Sequence, residues 1–114
     1  MNPEKWGPHC WFLLHSVALN YPKNPTNDDM KHYRDFYVNL QYTLPCSTCS
    51  KNYQKHLSEL PITDYVLSSR KSLFNWTVDM HNKVNNMKGK KKYTSERIIE
   101  KLSKEYGISK YDLL

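Results

Sequence analysis

Apolar residues recur every three or four positions along most of this 114-residue chain, and that spacing is the strongest constraint on its fold. In the first segment, for example, Trp11, Leu14 and Ala18 would share one face of a helix. No stretch shows the sustained alternation of apolar and polar residues that a half-buried strand requires. The pattern therefore predicts an all-α fold, built as a four-helix bundle with a short fifth helix.

Proline, glycine and capping residues mark where these helices start and stop. The first helix is predicted to begin at Gly7-Pro8, because proline suits a first helical turn, and to end near Asn20. The other starts and stops are predicted near Thr26, Cys46, Arg70, Lys88, Thr94 and Gly107. A chain of this length is expected to form one domain, residues 1–114, with one core and one active site.

The sequence shows no segment suited to a membrane or to export. No apolar run approaches the roughly 20 residues that cross a bilayer. The amino terminus lacks the basic and then apolar pattern of a signal peptide. We therefore expect a protein that has no membrane span and is not secreted.

Positive charge is concentrated in one part of the chain. The net charge is +6, and Lys88, Lys90, Lys91 and Lys92 crowd around Gly89. Such a cluster suits an anionic partner, whether a phosphate-bearing cofactor, nucleic acid or an acidic protein. It also suits the solvated carboxyl end of a helix, where cations are favoured. The charge alone leaves these alternatives open.

Three cysteines, Cys10, Cys46 and Cys49, are too few for a disulfide framework, and the last two form a CxxC pair. A CxxC at the start of a helix favours a thiolate there and is typical of a redox centre. Structural zinc would need two more ligands, and neither His56 nor His81 has a usual zinc-finger spacing, so no metal site is expected. A thioredoxin-type protein would need a βαβ context, which the pattern lacks.

A redox pair in a helical protein needs an acceptor for two electrons, and the single remaining cysteine cannot form a second disulfide. A bound organic cofactor is the simplest acceptor. Aromatic, histidine and asparagine side chains at helical spacing would form its surface: Trp11 and His15 on one helix, and His81, Asn82 and Asn85 on another. Each has an ordinary role in the core or at the surface when taken alone, so the prediction depends on their conjunction.

Four motifs follow one another along nearly the whole chain, and Gly89-Lys90 comes after the last. The motifs are Gly7-x-x-x-Trp11-x-x-Leu14-His15, Tyr21-Pro22-x-x-Pro25-Thr26, Pro45-Cys46-x-x-Cys49 and Trp76-x-x-x-x-His81-Asn82-x-Val84-Asn85. Together they resemble the Erv/ALR flavin-dependent sulfhydryl oxidases. The resemblance implies a helical bundle with FAD bound at its mouth, and a homodimer built on the first helices.

The resemblance also implies roles for individual residues. Cys46 would be the outer cysteine, which exchanges with a substrate thiol, and Cys49 would face the flavin. Electrons would pass from the substrate through this pair to FAD and then to O2, giving H2O2. The implied cofactor-binding residues are Gly7, Trp11, His15, His81, Asn82, Val84, Asn85, Lys88 and Lys90.

The chain departs from the family pattern in three ways. The structural disulfide that is usual in the family would join the positions of Val78 and Ser95, neither of which is cysteine here. Leu102 stands where a cofactor-contacting tryptophan is usual. No further cysteine pair can act as an internal shuttle, so a separate dithiol protein is expected to deliver the electrons. That partner would be thioredoxin-like, glutaredoxin-like or a small CxxC protein.

Its brevity and its missing cysteines make the chain resemble the minimal family members of large cytoplasmic DNA viruses. That resemblance implies a location in the host cytoplasm, at the virus factory, and also in the virion. The alternative from a different class is a non-redox, zinc-stabilised basic helical adaptor that binds nucleic acid through the lysine cluster. No nucleic-acid-binding motif accompanies that charge, so no nucleic-acid partner is expected.

Overall fold

The computed structural model describes residues 1–114, which form six α-helices and one 3₁₀ helix and contain no β-strand. The α-helices are α1 (Pro3–Leu19), α2 (Asn27–Thr43), α3 (Ser47–Glu59), α4 (Arg70–Met87), α5 (Ser95–Tyr106) and α6 (Lys110–Leu113). The 3₁₀ helix, Val66–Ser68, lies in the connection between α3 and α4. The all-α prediction is confirmed, although the pattern did not indicate the one-turn α6. None of the helices has the length and apolarity to span a bilayer.

Helix α1 begins four residues earlier than the sequence pattern suggested. Asn2 is its N-cap and accepts a hydrogen bond from the backbone N–H of Glu4 at 2.9 Å, and Pro3 lies in the first turn. Pro8 therefore lies inside the helix, where the loss of its N–H removes one backbone hydrogen bond. The predicted start at Gly7 was wrong because Asn2 and Pro3 together give the stronger start signal.

The other helix ends follow the predicted signals. Thr26 caps α2 in a capping box with Asp29, in which each side chain accepts a bond from the backbone N–H of the other residue. Cys46 caps α3 with its sulfur, and Thr94 caps α5. Gly107 ends α5 in the left-handed conformation, with φ 63°. These local predictions are confirmed.

Helix α4 ends in a Schellman motif that fixes where the basic cluster begins. Gly89 is left-handed, with φ 67°, a conformation that glycine adopts without strain. Its N–H donates to the Asn86 carbonyl at 3.1 Å, and the N–H of Lys90 donates to the Asn85 carbonyl at 2.7 Å. Lys88 is the C-cap, so Lys88 and Lys90 flank one tight turn at the end of α4.

The apolar core is centred on the contact between α1 and α4 and is completed by α2, α3 and α5. Ala18 of α1 is fully buried, as are Leu73 and Phe74 of α4. Val78 is also buried, with 1% of its surface exposed. The position at which the family pattern would place half of a disulfide is therefore occupied by an apolar core residue.

Two buried tyrosine hydroxyls connect α3 to α2 and α2 to α1. Tyr53 of α3 donates to the backbone carbonyl of Tyr37 at 2.6 Å, and Tyr37 of α2 donates to the carbonyl of Leu14 at 2.7 Å. Burial raises the pKa of both hydroxyls, so they remain protonated donors at neutral pH. These two bonds fix the position of α3 relative to α1.

Replacing Tyr37 by phenylalanine is expected to lower the free energy of unfolding by about 0.5–1.5 kcal/mol, the net contribution of one hydrogen bond. The ring is retained, so the packing changes little. Urea unfolding followed by circular dichroism measures the effect. Tyr65→Phe is the matched control because that side chain is exposed. An equal loss of stability in both variants would contradict the role assigned to the Tyr37 hydroxyl.

Candidate active site

The CxxC pair lies at the amino-terminal end of α3. Cys46 is the N-cap, and its sulfur accepts a hydrogen bond from the backbone N–H of Cys49 at 3.2 Å. Only Pro45 separates this cap from Leu44, the C-cap of α2, so the pair sits in a tight corner that proline restricts. Both cysteines are half-buried free thiols.

The two thiols differ in acidity. Hydrogen bonds donated to the Cys46 sulfur, first by the Cys49 thiol and then by the Cys49 backbone N–H, lower the pKa of Cys46. Burial raises the pKa of Cys49 to about 11, helped by its hydrogen bond to Cys46 and by the Cys46 charge, while Lys88 opposes the rise. The reduced pair therefore forms its first thiolate on Cys46.

A largely hydrophobic cavity of about 80 Å³, here called the inner cavity, lies between α1, α3 and the end of α4. Trp6 and Trp11 line it from α1, and Val84 lines it from α4. Cys49 lines this cavity and Cys46 does not. The pair thus has an inner sulfur, which faces an apolar space, and an outer sulfur, which does not.

The wall of the inner cavity contains polar groups that were not predicted to lie there, among them a thiol and an imidazole. Cys10 carries the thiol, and burial raises the pKa of that thiol, which makes it a poor nucleophile. His56 carries the imidazole, with only 6% of its surface exposed and both ring nitrogens buried without a hydrogen-bond partner. It lies seven residues after Cys49 on α3, so its position on the same helical face was the available sequence signal.

The surroundings of His56 offer no set of zinc ligands. No three histidine, cysteine, aspartate or glutamate side chains lie close enough together to hold a metal ion. The nearest carboxylate oxygen, of Glu59, lies 3.9 Å from His56 Nδ1, beyond hydrogen-bond distance. The two unpaired ring nitrogens instead leave hydrogen-bonding capacity free beside the inner cavity.

A larger groove of about 930 Å³, here called the outer groove, adjoins the inner cavity between α1, α4 and α5. Five residues line both spaces and form the boundary between them: Pro3, Gly7, Trp11, Val84 and Lys88. The volume lies within the range of about 300–1,000 Å³ that is usual for small-molecule and cofactor pockets. Together the two spaces can hold one elongated ligand with an apolar end and a polar end.

Four cationic side chains line the outer groove, and two of them were predicted from the sequence to bind the cofactor. They are Lys88, Lys90, Arg97 and Lys101. Arg97 and Lys101 are four residues apart on α5 and therefore share one helical face, which was the available signal. Glu4 partly balances this charge, with its carboxylate oxygens 3.4 Å from Lys88 Nζ and 3.8 Å from Lys90 Nζ. The groove suits an anionic group.

Trp11, His81 and His15 form one wall of the outer groove. The rings of Trp11 and His81 are parallel within 7°, with centroids 4.2 Å apart, so a planar ligand stacks outside this pair and not between its rings. His15 is buried behind them. Its Nδ1 lies 2.9 Å from Thr77 Oγ1, and its Nε2 lies 3.0 Å from His81 Nδ1.

Eight of the nine residues predicted to bind a cofactor line the inner cavity or the outer groove. Asn82 is the exception, contrary to the expectation. Its amide accepts a hydrogen bond from the Tyr93 N–H at 2.9 Å and donates one to the Tyr93 carbonyl at 2.7 Å. Asn82 therefore holds Tyr93, which lines the groove, in place. Asn85, in contrast, lines the groove and has a buried Nδ2 with no hydrogen-bond partner.

Residues 8–106 match the model of the Erv1/Alr family. The chain belongs to this family. It is 48% identical to a probable FAD-linked sulfhydryl oxidase of Acanthamoeba polyphaga mimivirus. The 104 aligned residues cover 91% of this chain and 73% of that protein. It is 35% identical to a putative FAD-linked sulfhydryl oxidase of Invertebrate iridescent virus 6, over 79% of this chain and 85% of that protein.

Cellular Erv1/Alr proteins are similar as well. The mitochondrial FAD-linked sulfhydryl oxidase of Saccharomyces cerevisiae is 34% identical to this chain. The alignment covers 79% of this chain and 46% of that relative, so the chain spans about half of it. The crystal structure of the yeast Erv1 core superposes with a TM-score of 0.77 at 32% identity, covering 84% of this chain and 79% of that one. The resemblance that the four motifs indicated is confirmed.

His15 and His81 are expected to make this Erv1/Alr protein acid-sensitive. Burial is the main cause that lowers the pKa of His15 to about 3 and that of His81 to about 4, from an ordinary value of 6.5. The unfolded chain therefore binds more protons than the folded chain below pH 6.5. Stability is expected to be fully present above that pH and to fall as the pH drops towards 4.

The measurement is the free energy of urea unfolding between pH 7.5 and pH 4. His15→Asn is expected to reduce the slope of stability against pH in this window, because one of the depressed groups is gone. His32→Asn is the control, since that histidine is exposed. A slope that His15→Asn leaves unchanged would show that the acid sensitivity comes from other groups.

Proposed function

We propose that this protein is an FAD-linked sulfhydryl oxidase that makes disulfide bonds in a dithiol partner. Electrons pass through Cys46 and Cys49 to FAD and then to O2, giving H2O2. The observation that carries this proposal is the position of the Cys49 sulfur, in the wall of an apolar cavity that adjoins a cationic groove. The relatives named as FAD-linked sulfhydryl oxidases support the same activity.

The residues present fit FAD at both ends. The inner cavity, at about 80 Å³, is smaller than the cavity of about 150 Å³ that holds one benzene, so its apolar wall beside Cys49 suits an edge of a flavin ring and not the whole ring. The cations of the outer groove suit a pyrophosphate. Polar atoms left without partners, Asn85 Nδ2 and the ring nitrogens of His56, are available for hydrogen bonds to the cofactor. We assign cofactor binding to Gly7, Trp11, His15, His81, Val84, Asn85, Lys88 and Lys90, with Asn82 supporting the groove wall through Tyr93.

Bound FAD supplies the acceptance of an electron pair and its transfer to dioxygen. The chain supplies the thiol chemistry that precedes it. When Cys46 and Cys49 are joined as a disulfide, a substrate thiolate attacks the outer sulfur, of Cys46, and Cys49 leaves as a thiolate. A second substrate thiol then attacks the mixed disulfide, which releases the oxidised substrate and leaves both cysteines reduced.

The mixed disulfide also changes the acidity of Cys49. Two of the causes that raise its pKa are the hydrogen bond to Cys46 and the Cys46 charge. Both are lost when the Cys46 sulfur is bonded to a substrate sulfur, because that sulfur is then uncharged. Lys88, which lines the inner cavity and lowers the pKa of Cys49, then favours a thiolate facing the cavity.

The proposal includes a partner, an assembly and a location. We assign electron delivery to a separate dithiol protein of thioredoxin-like, glutaredoxin-like or small CxxC type, whose thiols would exchange with Cys46, the sulfur that does not line the inner cavity. Phe12 and Leu13 are exposed on α1, with 40% and 55% of their surfaces accessible, which suits a homodimer through the first helices. We assign the protein to the host cytoplasm, at the virus factory, and to the virion, a proposal that rests on the viral source of two of its relatives.

The rival function is a zinc-stabilised adaptor that binds nucleic acid. It would need a cluster of metal-ligating side chains, and the structure has none.

We expect purified protein to be yellow, with flavin absorbance near one equivalent per chain, and to oxidise dithiothreitol with release of hydrogen peroxide. Colourless protein that retains zinc and binds nucleic acid would overturn the proposed oxidase and support the rival.

The two cysteines are expected to respond differently to substitution. Both Cys46→Ser and Cys49→Ser should abolish dithiothreitol oxidation. Only Cys46→Ser should show the long-wavelength absorbance of a thiolate beside oxidised flavin, because it keeps the sulfur that lines the inner cavity. Cys10→Ser is the control and should keep most of the activity. If the absorbance appeared in Cys49→Ser instead, the inner and outer roles would be reversed.

Gly7 tests whether the cavity holds the cofactor. A Cβ added there meets no protein atom within 4 Å, and Gly7 lines both the inner cavity and the outer groove. Gly7→Leu should stabilise α1 by up to about 1 kcal/mol through helix propensity, while its side chain occupies space for FAD. We expect less bound flavin per chain together with unchanged or higher stability in urea. Full flavin occupancy in this variant would contradict the assignment of Gly7.

A further inference from the structure

Thr77, which no part of the proposed chemistry uses, lies at the start of a chain of three hydrogen bonds that ends in the outer groove. Its Oγ1 is 2.6 Å from the backbone carbonyl oxygen of Phe74. Two oxygens at that distance need a proton between them, and a carbonyl has none to give. The single hydroxyl proton of Thr77 is therefore committed to Phe74.

This assignment fixes which atom donates and which accepts in the two remaining hydrogen bonds of the chain. Thr77 Oγ1 accepts from His15 at 2.9 Å, so the proton of His15 is on Nδ1. A neutral imidazole has one N–H, which leaves His15 Nε2 as an acceptor. The 3.0 Å contact to His81 is therefore made by a proton on His81 Nδ1, and His81 Nε2 carries none.

The surroundings keep both rings neutral, as this order requires. His15 has 4% of its surface exposed. The charged groups that act on His81 are cations, Lys101, Lys90 and Lys88, which together with its burial disfavour a second proton. The reversed order would break the hydrogen bond from Thr77 to Phe74 and leave two oxygens 2.6 Å apart with no proton between them.

We infer that Thr77 is a positioning residue that fixes the proton order of His15 and His81, so that His81 Nε2 presents a hydrogen-bond acceptor to the outer groove. Its ligand is a donor group on the nucleotide part of FAD, a ribose hydroxyl or the adenine amino group. This inference rests on the proposed function, because the groove must hold that nucleotide.

Nitrogen NMR of the FAD-loaded protein, labelled with ¹⁵N in histidine, tests the proton order directly. We expect protons on Nδ1 of both His15 and His81 in the wild type. Thr77→Val has nearly the same shape but no acceptor, so a proton on His15 Nδ1 would be buried and unpaired, and the order should reverse to Nε2 in both rings. Thr77→Ser keeps the hydroxyl and should keep the wild-type order.

The second measurement is the release of FAD from loaded protein after dilution, followed by flavin fluorescence. Thr77→Val should release FAD about tenfold faster than the wild type, the effect of one lost hydrogen bond, and Thr77→Ser should release it at the wild-type rate. FAD carrying 2′,3′-dideoxyadenosine, which lacks both ribose hydroxyls, identifies the donor. If a ribose hydroxyl binds His81, this analogue should leave the wild type faster than FAD does and should leave Thr77→Val at the same rate as FAD does. If the adenine amino group binds, the analogue should preserve the difference between the two proteins.

A proton on His81 Nε2 in the yellow wild-type protein would overturn the inference and leave the oxidase proposal intact. So would equal release rates in all three proteins. Wild-type protein that binds no FAD would overturn the proposed function, and the inference with it. If Thr77→Val does not fold, the wild-type and Thr77→Ser spectra still decide the proton order.

Discussion

The arrangement of the site depends on two hydroxyl groups that donate to backbone carbonyls of neighbouring helices. Tyr53 bonds to the carbonyl of Tyr37, and Tyr37 bonds to the carbonyl of Leu14. Tyr53 lies one helical turn after Cys49, and Leu14 lies one turn after Cys10. The same bonds that join three helices therefore set the inner sulfur opposite α1 and define the width of the inner cavity. Because the two donors are buried, water does not compete for them.

Charge is separated along the site in a way that suits its two ends. The inner cavity is lined mainly by apolar side chains, whereas cations surround the outer groove. Lys88 lies at the boundary, and it is the one cation that lines both spaces. Its place is set by the Schellman motif at Gly89, which ends α4 at Met87 and makes Lys88 the C-cap. A local backbone signal thus positions a charge that acts both on the Cys49 thiol and on the anionic part of a ligand.

The sequence predicted most of what depends on local interactions. Helix caps and glycine stops could be predicted because they involve residues only a few positions apart. Thr26, Thr94, Gly89 and Gly107 are examples. The family motifs identified the residues of the groove wall, but not what each does there. Asn82 and Asn85 are both asparagines and lie one helical turn apart on α4. The Asn82 amide, however, makes its hydrogen bonds with the backbone of Tyr93, in the segment that follows Gly89. Arg97, Lys101 and His56 were missed for a different reason. The sequence shows which helical face each residue shares, but not that α3 and α5 pack with that face toward the site.

The hydrogen bond from the Cys49 N–H to the Cys46 sulfur makes the cap of α3 part of the redox couple. An ionised sulfur is a stronger acceptor at a helix amino terminus than a sulfur held in a disulfide, so the cap is strongest when the pair is reduced. Any interaction that stabilises the reduced pair raises its reduction potential, because it makes the free energy of reducing the disulfide more favourable. The first turn of this helix therefore makes the oxidised pair a better oxidant of partner thiols, through ordinary helix capping and before any cofactor takes part.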